Sequence, residues 1–119
     1  MKVLYYNRNR LSESEETALN VTFAPLQQLL SKSDYISLHC PLTSETRHLL
    51  GPKEFEKMKK GVYIINTARG PVIDELALLA ALQSGKVGGA GLDVFEVCLL
   101  MALLSLVLGF QTKFANVRC

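Results

Sequence analysis

The chain has 119 residues and 49% apolar content, enough for one domain with a modest core and too little for two compact units. Its 13 basic and 11 acidic residues are spread along the chain for a formal charge of +2, which leaves no electrostatic footprint for nucleic acid. The three cysteines, Cys40, Cys98 and Cys119, are odd in number and lack a Cys-x-x-Cys spacing, which argues against a disulfide scaffold or a zinc site and for a reducing, cytoplasmic setting.

Met1 to Arg8 place charge after too short an apolar run for a secretory signal peptide. Val3 to Tyr6 is β-rich and empties into the polar Asn7-Arg8-Asn9-Arg10, so a buried strand followed by a loop is expected. Ser12 to Thr17 is polar and acidic and reads as a solvated turn or a frayed helix. Val21 to Phe23 is a second short strand. Behind Pro25, a residue tolerated in a first helical turn, Leu26, Leu29 and Leu30 repeat at helical spacing. Tyr35 to His39 is the next strand, ended by Pro41, which cannot continue a central ladder.

Pro52 to Lys60 sets Phe55 and Met58 on one face among Lys53, Glu54, Glu56 and Lys57, a short amphipathic helix stopped by Gly61. Val62 to Asn66 is a strand, Asp74 caps a helix from Glu75 to about Ser84, Gly85 closes it, and Val87 to Val94 is the last strand. Strands alternating with helices predict a parallel sheet built from right-handed β-α-β units. Val97 to Phe110 then runs for fourteen residues without a charge. A membrane span needs roughly twenty, so this run reads as an apolar helix that docks on an exposed sheet face or drives aggregation, ahead of a membrane-associated segment.

Two strand ends stand out. Ile64-Ile65-Asn66-Thr67-Ala68-Arg69-Gly70 ends in an arginine and Gly88-Gly89-Ala90-Gly91-Leu92-Asp93-Val94-Phe95-Glu96 passes through an aspartate, and ligands of open α/β sheets gather at the carboxyl ends of strands. With Cys40-Pro41-Leu42-Thr43-Ser44-Glu45-Thr46 upstream, the pair resembles the D-2-hydroxyacid dehydrogenase family, especially its glyoxylate and hydroxypyruvate reductases, from about Met1 to Glu96. The resemblance implies an α/β, partial Rossmann-like doubly wound parallel sheet over residues 1–96, followed by a divergent apolar tail over 97–119. It implies hydride transfer between a nicotinamide cofactor and a small 2-keto or 2-hydroxy acid.

The same resemblance assigns roles residue by residue. Arg69 holds the substrate carboxylate and polarises the keto oxygen, a task for a planar, permanently charged, multi-donor group; alone it would read as a surface arginine in a strand-to-helix loop. Gly70 and Pro71 suit a tight turn that presents it. Asp93 accepts from the nicotinamide carboxamide while Thr67 and Ala68 line the same ring; the alternative for Asp93 is a loop-capping carboxylate. Cys40, Pro41, Thr43 and Thr46 match the loop along the adenosine and ribose side, although Pro41 serves equally as a strand terminator.

Asn7, Arg8 and Arg10 lie where the second strand of a dinucleotide-binding half ends. An acid there would bond the ribose 2′-hydroxyl of NAD, and an arginine pairs with the 2′-phosphate of NADP, so NADP is favoured with NAD as the alternative; a solvated basic turn is the plainer reading. His39 and His48 are the only histidines and are read as structural, His48 on the surface.

Three parts of the chemistry do not occur in the sequence. The family's acid carboxylate falls at Cys98, no histidine follows His48, and no Gly-x-Gly-x-x-Gly with its preceding strand is present to cradle a pyrophosphate. Gly88-Gly89-Ala90-Gly91 lies inside a strand and is no substitute. The expected picture is a truncated, catalytically impaired form with the first strand and Gly-rich loop missing, arising from truncation, alternative splicing or an incomplete gene model. The competing picture is a non-catalytic interaction module that forms a homo- or hetero-dimer with a full-length homologue through an exposed strand edge or its tail.

Overall fold

The computed structural model describes residues 1–96. The expected helix over Val97 to Phe110, Cys98 and the rest of the tail lie outside the described residues. The order is β1 (Val3–Tyr5), α1 (Glu13–Leu19), β2 (Val21–Phe23), α2 (Leu26–Lys32), β3 (Tyr35–Leu38), α3 (Pro52–Lys57), β4 (Val62–Asn66), a 3-10 turn (Gly70–Val72), α4 (Glu75–Gln83) and β5 (Val87–Leu92). Strand and helix alternate throughout, and every ladder pair is parallel.

Local chemistry sets the boundaries. The polar stretch expected as a turn or frayed helix is a defined helix, because Ser12 and Glu15 form a capping box: Ser12 Oγ accepts from Glu15 N, and Glu15 Oε2 accepts from Ser12 N at 2.9 Å. Tyr5 and Arg10 tether α1 by donating to Glu16 at 2.6 and 2.8 Å. Asp74 caps α4 by accepting from Ala77 N at 3.1 Å. Gly61 and Gly85 take φ of +81° and +73° where α3 and α4 turn back into strands, a conformation that favours glycine.

The core lies on one face of the β3–β4–β5 sheet. Ile36 and Leu38 of β3, Val62 and Ile64 of β4 and Val87 of β5 point inward to Leu30 of α2, Phe55 of α3 and Leu78 of α4. The opposite face carries Tyr35 stacked on Tyr63 with ring centroids 5.3 Å apart, and Ile65, all exposed. A parallel sheet is ordinarily covered on both faces, so this side is bare among the described residues.

The single parallel sheet expected from the alternation is two ladders. One holds β1 and β2, the other β3, β4 and β5 in that order. The usual doubly wound order is 3-2-1-4-5-6, in which the strand bearing the phosphate-binding turn sits in the middle of the sheet. With β1 through β5 in the places of strands 2 through 6, the break falls at that middle strand, whose fingerprint the sequence lacks. Arg8, in the loop after β1, pairs with Glu45, in the loop after β3.

Candidate functional site

The fold collects the residues singled out above at the carboxyl ends of the strands. Asn7, Arg8 and Arg10 follow β1, Cys40, Pro41, Thr43 and Thr46 follow β3, Thr67, Ala68 and Arg69 follow β4, and Asp93 follows β5. Since β3, β4 and β5 are ladder neighbours, the last three groups are brought side by side.

Asn66 organises the centre. It occupies an inward-facing position of β4 and is 1% exposed. Its Oδ1 accepts from Ala68 N and its Nδ2 donates to Arg69 O, both at 3.0 Å, while its own carbonyl accepts from Asp93 N at 3.0 Å. One buried amide thus shapes the turn bearing Arg69, and the same residue's backbone fastens the turn bearing Asp93. Both of those side chains are exposed. Arg69 Nη1 donates to Ala68 O at 2.6 Å, which uses one of five guanidinium donors.

The two turns are held close by further contacts. Gly70 is buried because a Cβ there would collide with the backbone of Phe95 and Glu96. Glu75 at the start of α4 accepts from Glu96 N at 2.6 Å. The Glu96 carboxylate is gripped by Arg47 and by His48 Nε2, the latter at 2.9 Å. The His48 hydrogen bond is the chief reason the Glu96 pKa lies below the ordinary carboxylate value, reinforced by the Arg47 charge against the opposing effect of burial. The loop carrying both partners is pinned beside the Arg69 turn by His48 N donating to Pro71 O at 2.8 Å and Asp74 N donating to Leu50 O at 3.0 Å. His48 has φ of +51°, in the left-handed region.

The outer loops are ordered by their own hydrogen bonds. Thr46 Oγ1 donates to Pro41 O and accepts from Thr43 N, both at 2.7 Å, folding the loop after β3 onto itself. Arg8 pairs with Glu45 across exposed surface, an arrangement an incoming anion can displace at small cost. Arg10 is held more firmly: Glu16 takes it at 2.8 and 3.0 Å, and its guanidinium lies 5.3 Å from the Phe23 ring centroid. Sequence reasoning missed Asn66, Glu96, Arg47 and Glu75. Only Asn66 left a signal, as a polar residue at an inward position of an otherwise apolar strand.

Asn66 thus fastens one turn bearing a guanidinium able to grip a carboxylate and another bearing a carboxylate able to accept from an amide. The N-terminus of α4 is already occupied by the Asp74 side chain, which accepts from Ala77 N. Groups of His, Cys, Asp and Glu able to hold a metal are absent among the described residues, as is any helix long and apolar enough to cross a membrane.

Residues 1–105 match the family described as D-isomer specific 2-hydroxyacid dehydrogenase, NAD binding domain. The 4-methyl-2-oxopentanoate reductase A of Aspergillus oryzae is 54% identical over 96 residues, covering 81% of this chain and 29% of that protein. The crystal structure of a glyoxylate reductase from Paecilomyes thermophila superposes with a TM-score of 0.77 at 48% identity, covering 82% of this chain and 29% of that one. A D-lactate dehydrogenase from Aquifex aeolicus, solved with NAD and lactic acid, gives a TM-score of 0.76 at 42% identity over 95% of this chain and 33% of its own. The chain therefore spans about a third or less of the length of these relatives. On this match and on parallel α/β architecture, the chain belongs to the D-isomer specific 2-hydroxyacid dehydrogenase family, as part of its NAD-binding domain.

Proposed function

We propose that this chain supplies the nicotinamide-facing half of a site for NADPH and a small 2-keto acid such as glyoxylate or hydroxypyruvate. The observation that carries the reading is the bracket at Asn66, which sets Arg69 and Asp93 on adjoining turns. Arg69 grips the substrate carboxylate and polarises the keto oxygen. Asp93 accepts from the carboxamide, with Thr67 and Ala68 along the ring and Cys40, Pro41, Thr43 and Thr46 along the adenosine and ribose side. Arg8, released from Glu45, takes the 2′-phosphate beside Asn7 and Arg10, which is why NADP is placed ahead of NAD. When bound, the cofactor supplies the hydride.

Residues 1–96 form the partial dinucleotide-binding domain on this reading, and 97–119 a divergent tail. Turnover by the chain alone is weak, because a developing alkoxide needs a proton donor and the sequence has no histidine beyond His48. Losing a general acid costs about 10²- to 10⁴-fold in rate. Titration of purified chain with NADPH and with NADH, monitored by cofactor fluorescence, tests the reading. Tighter NADPH binding that Arg8→Ala reduces to the NADH level supports it; equal affinities, or indifference to Arg8→Ala, refute the cofactor preference. Brisk glyoxylate reduction would refute the impairment.

The second reading, an interaction module that pairs with a full-length homologue, is favoured by one observation: β1 and β3 each pair on one side only among the described residues. Co-elution with such a homologue on size exclusion tests it.

A further inference from the structure

His48 touches both of the turns that Asn66 fastens. Its backbone N–H donates to Pro71 O at 2.8 Å, in the turn that carries Arg69. Its Nε2 lies 2.9 Å from Glu96 Oε2, in the segment that continues from Asp93. Arg47 takes the other oxygen of the same carboxylate, and Glu75 of α4 accepts from Glu96 N at 2.6 Å. Glu96 is therefore held from the loop after β3 and from α4, and His48 is the one residue of that loop that reaches the Arg69 turn as well.

Stability gives a poor account of this arrangement. The side chains of Arg47 and His48 are 53% and 42% exposed, and exposed ion pairs contribute little to folding. His48 also carries a backbone cost. Its φ of +51° lies in the left-handed region, and the other non-glycine residue there among the described residues is Asn20, the C-cap of α1. A cap accounts for Asn20. His48 follows no helix in the element order, and strain held at such a position points to a task. The loop gives it a firm base: Arg47 N donates to Thr43 O at 3.0 Å, Leu49 N to Thr46 O at 3.1 Å and Thr46 Oγ1 to Pro41 O at 2.7 Å.

We propose that His48 is a positioning residue, which with Arg47 sets, through Glu96, the place of the Asp93 carboxylate relative to the Arg69 guanidinium. The clasp then decides how well the nicotinamide end of the cofactor is gripped, and in this the proposal rests on the nicotinamide reading above. Its distinctive consequence is a loss of affinity at that end alone. The hydrogen bonds that order Thr43 and Thr46 involve neither the His48 ring nor Glu96, and Arg8 pairs with Glu45, so the adenosine, ribose and 2′-phosphate side does not depend on the clasp.

Calorimetric titration of the full chain compares NADPH with 2′-phospho-ADP-ribose, the same ligand without its nicotinamide, so the ratio of the two affinities isolates that end. Two variants open the clasp. Glu96→Gln removes the charge at nearly equal size, and His48→Gly removes the ring at a φ that glycine adopts freely. Each should cut the ratio about 10-fold, the low end for a hydrogen bond to a charged group, while the 2′-phospho-ADP-ribose affinity stays at the parent value. The urea midpoint of His48→Gly should stay near that of the parent, since the relieved backbone offsets the lost pair. His48→Gln keeps a side-chain N–H and should restore most of the ratio. A parent chain that binds NADPH no more tightly than 2′-phospho-ADP-ribose, or binds neither, refutes the nicotinamide reading and this proposal with it. A parent that discriminates, with either clasp-opening variant discriminating equally well or with His48→Gln behaving as His48→Gly, overturns the positioning role alone. Equal losses for both ligands with a falling midpoint also overturn it, because they mark a merely structural clasp.

Discussion

Replacing Asn66 by alanine removes the amide that shapes the Arg69 turn. Two hydrogen bonds of 3.0 Å disappear, leaving Ala68 N–H without its acceptor and Arg69 C=O with Val72 N, at 3.2 Å, as its remaining donor. A buried group left unpaired costs about 1–3 kcal/mol, and the low end applies here because Arg69 is exposed and Ala68 half-buried, so water reaches part of the turn. Adding the packing lost around a side chain 1% exposed brings the expected destabilisation to about 2–4 kcal/mol. Urea unfolding of the full chain, followed by circular dichroism, should move the midpoint down by about 1–2 M for a slope of about 2 kcal/mol/M. Asn66→Asp keeps the acceptor for Ala68 N but opposes a carboxylate to Arg69 O. Burial raises the pKa of such an acid, so its folded-state pKa exceeds the unfolded one and stability falls as pH rises through about 4 and beyond. A loss below about 0.5 kcal/mol for Asn66→Ala, or an Asn66→Asp curve without pH dependence, would refute the role given to this amide.

Gly70→Ala drives a methyl group into the backbone of Phe95 and Glu96, and should cost about 1–3 kcal/mol and weaken cofactor binding together with stability, read by unfolding and by titration. Ile64→Ala empties a site of 0% exposure at the centre of the sheet, and should cost about 2–5 kcal/mol in the same unfolding assay. Ser12→Ala breaks the capping box of a helix with no buried residues, so faster amide exchange within α1 with little change in the global midpoint is expected; a large midpoint shift would count against a local role. Hydrogen bonds from Arg10 and Tyr5 lower the Glu16 pKa from 4.5 to about 2. The stability it confers is full above pH 4.5 and is lost as pH falls toward 2, so Glu16→Gln should flatten the acid side of the stability curve.

Much of the fold was legible in the chain because local signals are strong here. Asp74 and Gly85 bracket α4, and the apolar runs of β3, β4 and β5 match their strands to within one or two residues, whereas α3 ends at Lys57 with Met58 as its cap, short of the Lys60 and Gly61 stop expected from the sequence. In the sequence, helix α1 stays open between a turn and a frayed helix because its apolar residues, Ala18 and Leu19, stand together at its end and no apolar stripe marks it. Its signal was the Ser12-to-Glu15 spacing, visible in the chain but only decisive once both hydrogen bonds are in place.

The site divides in the same way. Arg69 and Asp93 were singled out through the family resemblance of the motifs that hold them, and the fold puts both just beyond strand ends, where an α/β sheet gathers ligands. By itself the sequence determined the α/β alternation, the family and the polar groups placed at the strand ends, since these depend on short-range pattern. Only the tertiary structure decided the grip of Arg47 and His48 on Glu96, nearly fifty residues away, the Gly70 approach to Phe95, and the split of the strands into two ladders. Each of these depends on which strand lies beside which. Hydrogen bonding between strands is the same for every sequence, so the order is set by side-chain packing and crossover length, and those exist only in the folded chain.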